Sequence, residues 1–259
     1  MAREKPRAGF YSLTGCQGEY LTILGMEDVL LEMLNLVDIV EFKLASSVEL
    51  PGEVDIAFVE GSVTTEKDLK YLEEIRRKSR ILVAIGDCAV WGGIQASTTG
   101  TDPRELMRSV YGTEENLYGF LGEHKGLSEV VQVDYELHGC PIEGKEFAEL
   151  LIDLVRGVKP VLPDYPVCVE CKIREIPCLI VERGLPCFGP ITVAGCDARC
   201  PSYNTVCISC RGPLKDEANV SGELRTLLSK GYDERTVIEL VSMFGARYKE
   251  VAKLLSEGK

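Results

Sequence analysis

The chain is short of positive charge. Its 29 lysines and arginines face 41 aspartates and glutamates, for a formal net charge of −12. Nucleic-acid binding needs a basic face, so a nucleic acid is excluded as a partner, and the acidity reads as a solvated surface. Long apolar runs are also lacking. No stretch approaches the roughly 20 apolar residues of a bilayer-spanning helix, and residues 1–15 hold neither an apolar signal core nor a twin arginine. The expected location is the cytoplasm. There is no Walker-type loop and no convincing G-x-G-x-x-G, which leaves nucleotide binding to partner chains. Internal repeats and low-complexity segments are absent as well.

What the sequence has instead is cysteine, eleven in all. A reducing cytoplasm disfavours disulfides, so these thiols are expected to bind metal. Their placement is uneven: Cys16, Cys88 and Cys140 are scattered, whereas the other eight fall between Cys168 and Cys210. That partition, more than any shift in composition, marks the domains.

Over the first 160 residues short β-branched runs alternate with helical patterns. Residues 7–13, 38–42, 55–60, 81–85 and 130–137 read as strands. One helix is expected over 18–36, with Leu21, Ile23, Leu24, Val29, Leu30, Leu31 and Leu34 as its apolar stripe. Thr65 and Asp68 have capping-box spacing ahead of a charged helix reaching about Ser79, and another helix spans 144–156. The rhythm predicts an α/β fold, a flavodoxin-like doubly wound parallel sheet. In such sheets ligands sit beyond the carboxyl ends of the strands. Cys16, Cys88 and Cys140 each follow a predicted strand, so they are expected to converge at one edge.

From Lys159 to Pro213 the chain loses periodicity and is rich in Cys, Pro and Gly. A stretch this long needs something besides an apolar core to hold it. Cys168, Cys171, Cys178, Cys187, Cys196, Cys200, Cys207 and Cys210 run as C-x2-C-x6-C-x8-C-x8-C-x3-C-x6-C-x2-C. Four thiolates hold one cubane, so eight imply two iron–sulfur clusters, as in ferredoxins. Their division into fours stays open, because in ferredoxin runs the fourth cysteine often serves the other cluster. Two four-cysteine zinc sites would use as many ligands, but zinc sites usually pair short-spaced knuckles, and four of these cysteines lie outside any C-x2-C. Three domains are expected: 1–158 flavodoxin-like, 159–213 a small ferredoxin-like cysteine-rich segment, and 214–259 C-terminal helices, with Asp233 capping residues 234–244.

The scattered motifs are Thr14-Gly-Cys-Gln-Gly-Glu19, Gly86-Asp-Cys-Ala-Val-Trp-Gly-Gly93 and His138-Gly-Cys-Pro141. Their glycines let backbone N–H groups approach sulfur. With Pro186-Cys-Phe-Gly-Pro-Ile-Thr192 and Ala194-Gly-Cys-Asp-Ala-Arg-Cys-Pro201, they make a pattern that resembles small subunits of soluble nickel–iron hydrogenases. The similar branch holds the sulfhydrogenases and the viologen- and deazaflavin-reducing enzymes. The resemblance covers residues 8 to about 213. It implies an electron-transfer subunit with three [4Fe–4S] clusters. The partners implied are a large subunit holding the nickel–iron site and diaphorase-like or heterodisulfide-reductase-like subunits. It also implies that Cys16, Cys88 and Cys140 ligate a proximal cluster.

The sequence departs from that family at one position. The family's first motif is C-x-G-C, and here Glu19 replaces the second cysteine. Glu19 is the favoured fourth ligand, an oxygen donor harder than thiolate; Glu60 and Asp87 are alternatives, as is a three-iron cluster. His138 is expected to be structural, Trp91 to pack or contact a subunit, and His124 to lie on the surface. The loop after the first strand is a poor flavodoxin phosphate loop, so FMN is not expected.

Overall fold

The computed structural model describes residues 5–47, 49–50, 52–116, 118–214, 219–245 and 253. The chain divides into two compact units, Met1–Val161 and Leu162–Lys259.

The first unit is built on a five-stranded sheet of β1 (Arg7–Ser12), β2 (Asp38–Phe42), β3 (Val54–Glu60), β5 (Ser79–Ile85) and β7 (Tyr135–Leu137). The order is β2-β1-β3-β5-β7 and every pairing is parallel. Such a sheet must be covered on both faces, so its strands read as near-continuous apolar runs. Alternate residues feed the two covers. Tyr11, Ala57, Val59, Leu82 and Ala84 pack with Leu72 and Ile75 of α3 (Glu66–Lys78). On the other face Phe10 stacks on Phe42 at 4.5 Å and on Phe58 at 5.1 Å, and Phe58 meets Phe147 of α6 (Gly144–Arg156) edge-on at 5.1 Å. Aromatic pairs of this kind add about 0.5–1.5 kcal/mol each beyond their buried area.

Three expectations change. The single helix over 18–36 is two, α1 (Gly18–Leu24) and α2 (Glu27–Leu34). Gly25 closes the first on the carbonyl of Leu21, and Met26 leaves helical geometry at ψ 60° before the second begins. The break divides the stripe: Ile23 is buried, but Leu21 and Leu31 are 60% and 72% exposed. Nothing is described for the side chains of Val29 and Leu34. The last strand is shorter than 130–137, because Val130, Val131 and Val133 pack on the core without pairing. A two-stranded antiparallel ribbon, β4 (Val63–Thr65) with β6 (Phe120–Lys125), and α5 (Pro103–Tyr111) were not anticipated. Gly122 at φ +78° interrupts the alternation by which β6 would be recognised. After β5 the chain enters the short helix α4 (Gly86–Trp91).

The second unit has little regular structure ahead of its last helices. Its α-helices among the described residues are α7 (Val167–Ile173), α8 (Arg199–Ser202), α9 (Val220–Ser229) and α10 (Glu234–Gly245). Asp233 accepts from the Thr236 amide at 2.9 Å, the cap anticipated for α10. Apart from 253, residues 246–259, also expected to be helical, lie outside the described residues. One core joins Phe188 and Ile191 to Val220, Leu224, Leu227, Val237 and Val241. A second gathers Val167, Leu179, Ile180, Ala198, Cys187 and Cys207. Glu175, Asp197, Ala198, Asn204 and Ser209 all have positive φ. Each costs on the order of 1–2 kcal/mol outside glycine, so something must hold this backbone. Among the described residues no helix is long and apolar enough to cross a membrane.

Candidate metal centres

The carboxyl edge of the sheet gathers the three scattered cysteines. Cys16 follows β1, Cys88 lies in the first turn of α4 after β5, and Cys140 follows β7. Burial raises the Cys88 thiol far above its ordinary pKa, and Cys140, Glu19, Asp87 and Cys16 push it further the same way. Four groups that can carry negative charge therefore act on one thiol. Asp87 is fully buried, and its amide donates to the Gly139 carbonyl at 2.7 Å, which ties the Cys88 turn to the Cys140 loop.

Glu19 lies in α1 and is 4% exposed. Burial, and then the Glu60 carboxylate, push it up to about 7. Its carboxylate lies over Gly86, at φ +83°, where a Cβ would overlap it. Glu60 ends β3 and is also raised by burial, but Ser12 and the Gln17 amide hydrogen-bond it. Its Oε2 would stand 2.7 Å from a Cβ at Gly15. With Asp87, three buried carboxylates thus occupy this edge, Glu19 over Gly86 and Glu60 beside the β1 loop.

The loop carrying Cys16 is pinned by residues that motif reading passed over. Thr14 donates its hydroxyl to Asp68 at 2.8 Å, and its carbonyl accepts from the Ser62 amide at 2.8 Å and from Gln95 at 3.1 Å. His124, expected at the surface, is half-buried instead. Thr64 and Thr98 meet its two ring nitrogens at 3.2 and 2.6 Å. Trp91 packs against the core that includes Val90 and Leu127.

In the second unit four cysteines, Cys168, Cys171, Cys178 and Cys187, are linked by mutual influence. Cys187, Cys171 and Cys178 all act on Cys168, whose thiol is pushed up to about 12, chiefly by burial. Cys171, pushed up to about 11, feels burial first, then Cys187 and Cys178, and Cys196 only after these. Cys207 is raised well beyond this by burial, and it feels both Cys187 and Cys210. Backbone N–H groups point at the sulfurs and oppose the burial: Cys207 and Gly189 at Cys187, Arg199 and Ala198 at Cys196, Ser209 at Cys207. The Cys207 amide lies 3.3 Å from Cys187 Sγ.

This donor set fits iron–sulfur clusters. Crowded, desolvated thiols and carboxyls that repel one another as anions are strongly stabilised in that form by a cation among them. Glycines leave room beside the sulfurs. A Cβ at Gly93, φ +60°, would lie 2.5 Å from Cys88 Sγ, and one at Gly18 would lie 3.3 Å from Cys16 Sγ. One at Gly189 would sit 3.5 and 3.7 Å from the sulfurs of Cys168 and Cys187. Among the described residues no three His, Cys, Asp or Glu side chains close on a single metal ion. Each ligand of a cubane binds a different iron, so a cluster's ligand set is wider than a one-ion cage. All eleven cysteines are free thiols.

Known proteins resemble the chain. Residues 16–154 match the family of the NADH ubiquinone oxidoreductase 20 Kd subunit. The chain is 39% identical to the sulfhydrogenase 2 subunit delta of Pyrococcus furiosus, over 85% of this chain and 92% of that one. It is 32% identical to a vhu subunit of the F420-non-reducing hydrogenase of Methanocaldococcus jannaschii, over 86% and 87% of the two chains. Among solved structures, a chain of an NAD+-reducing [NiFe]-hydrogenase in the H2-reduced state superposes with a TM-score of 0.57 at 31% identity. That match covers 62% of this chain and 96% of the other. The chain belongs to the family of the NADH ubiquinone oxidoreductase 20 Kd subunit, in company with hydrogenase small subunits, and is by that kinship an oxidoreductase subunit of iron–sulfur type.

Proposed function

We propose that this chain is the electron-transfer subunit of a cytoplasmic [NiFe] hydrogenase and holds three [4Fe–4S] clusters. When bound, the clusters would carry electrons between the nickel–iron site of a large subunit and a reductase module. Diaphorase-like or heterodisulfide-reductase-like subunits are the proposed acceptors; the NAD+-reducing relative supports the first kind.

The observation that carries the reading is Cys88, a buried thiol at the carboxyl edge of a parallel sheet, where Cys16 and Cys140 also follow strands and where Cys140, Glu19, Asp87 and Cys16 all act on it. Cys16, Cys88 and Cys140 would hold the proximal cluster, with Glu19 as its fourth ligand. Glu19 is preferred to Glu60 because it acts on Cys88, whereas the Glu60 side chain is engaged by Ser12 and Gln17. Asp87 is fully buried and its amide ties the Cys88 turn to the Cys140 loop, so it is assigned to support. The remaining ligands would divide in chain order. Cys168, Cys171, Cys178 and Cys187 would form one set, and Cys196, Cys200, Cys207 and Cys210 the other. The mutual influence of the first four supports this division.

A second reading is favoured by the family match itself, which is to a subunit of NADH ubiquinone oxidoreductase: an iron–sulfur relay in a complex without hydrogenase activity. Metal analysis of the anaerobically purified complex separates the two. The hydrogenase reading expects nickel, hydrogen-dependent dye reduction and about twelve irons for the three cubanes of this chain. Iron without nickel or hydrogen-dependent activity would establish the relay instead, and zinc without iron would sink both. For the fourth ligand, Glu19→Cys is expected to shift the proximal cluster's EPR signal and potential; spectra identical to wild type would count against ligation by Glu19.

A further inference from the structure

Glu170 belongs to one cysteine group by its backbone and to the other by its side chain. It stands between Cys168 and Cys171 in α7, 9% exposed, and its carboxylate reaches across to the loop that carries Cys196. Oε1 accepts from the Gly195 amide at 2.7 Å and Oε2 from the Ala198 amide at 2.8 Å. Oε2 also lies 3.8 Å from Cys196 Sγ. The loop it grips is strained, with φ of +115° at Gly195, +54° at Asp197 and +46° at Ala198. Two successive non-glycine residues in the left-handed region persist only where the surroundings over-determine them. A carboxylate taking amides from both ends of the turn does that.

Arg211 approaches the same loop with the opposite charge. It is 2% exposed, and its Nε donates to the Ala194 carbonyl at 2.7 Å. A buried anion and a buried cation thus meet the same loop, Glu170 Oε2 at 3.8 Å from Cys196 Sγ and Arg211 on the carbonyl two residues before Cys196. Cluster potential follows net charge and hydrogen bonding near the sulfurs. A fixed buried anion disfavours an added electron, and a fixed cation favours one.

We propose that Glu170 is a positioning residue that clamps the Cys196 loop and, opposed by Arg211, sets the reduction potential of the cluster bound there. This inference rests on the cluster reading above. The test is a dye-mediated redox titration of the anaerobically purified complex, followed by EPR, with iron counted in every sample. Glu170→Gln keeps the shape and removes the charge. It is expected to retain iron and to raise the reduced-to-oxidised ratio of one cluster about tenfold at fixed poise, the equivalent of about 59 mV for one electron. Arg211→Gln should move the same cluster the other way.

A role in folding alone would not produce shifts of opposite sign. If E170Q retains iron and no cluster moves, the proposal is overturned. Should E170Q lose iron, R211Q decides: a lowered ratio supports the proposal and an unchanged one overturns it. Loss of iron from both variants assigns the pair to folding and also overturns it. Wild-type protein without iron or labile sulfide would sink the cluster reading instead, an outcome distinct from all of these.

Discussion

Glycine at position 93 shows how a single residue serves the site. Its φ of +60° suits glycine, and a Cβ there would lie 2.5 Å from Cys88 Sγ and 2.9 Å from Cys88 Cα. Gly112 is a matched control, at φ +69° with nothing within 4 Å of the place a Cβ would take. Gly112→Ala should therefore cost only the conformational term, about 1 kcal/mol. Gly93→Ala adds overlap and should cost about 3 kcal/mol or more. Anaerobic denaturant titration compares them, and equal costs would remove the steric argument. Glu223 offers a prediction in pH. It is buried in α9, its Oε1 has no hydrogen-bond partner among the described residues, and burial pushes it up to about 7 from an ordinary value of 4.5. A carboxyl raised in the folded state contributes stability that is full below the unfolded value and is lost as pH rises through the folded one. The window is thus about pH 4.5 to 7. Glu223→Gln should melt like wild type at pH 5 and above it at pH 8, by on the order of 1–2 kcal/mol once partial solvent screening is allowed for. A difference that does not change with pH would refute the assignment.

At the scale of elements, α3 does more than cover the sheet. Thr65 and Asp68 form the anticipated capping box. Asp68 also accepts from the Thr64 and Thr65 amides at 3.2 and 2.9 Å and from the Thr14 hydroxyl at 2.8 Å. Thr14 is two residues from Cys16, so the helix start anchors the first cysteine loop. Thr65→Ala should cost about 1 kcal/mol, a lost cap. Asp68→Ala removes several bonds to a charged group and should cost about 2–3 kcal/mol. Thermal melts test the ranking, and a larger loss for Thr65→Ala would contradict it. The cap was legible because its two residues are neighbours in sequence. The tie to Thr14 spans 54 residues, and no local pattern signals it.

At the scale of the whole molecule, the two units differ in what holds them. The first has a parallel sheet with apolar cover on both faces. The cysteine-rich part of the second has short helices, isolated bridges and several left-handed residues. Removing the clusters by anaerobic chelation should therefore open the second unit selectively. Hydrogen exchange is expected to rise across residues 162–214 while β1, β3 and β5 stay protected. Uniform loss of protection would mean that the first unit depends on its cluster to the same degree.

The strand rhythm, the capping box, the Asp233 cap and the cysteine spacing are local regularities, and the parallel sheet and its cysteine-bearing edge were legible from them. Local periodicity did not reveal the break at Gly25 and Met26, because the apolar stripe of 18–36 continues through it. Nor did it reveal the β4–β6 ribbon, whose partners lie far apart in the chain. Tertiary structure alone decided that the Glu19 carboxylate lies over Gly86, which amides point at which sulfurs, and that Glu170 reaches from α7 to the Cys196 loop. Those are contacts between distant segments. They depend on how side chains are buried together, and a linear pattern carries no record of that.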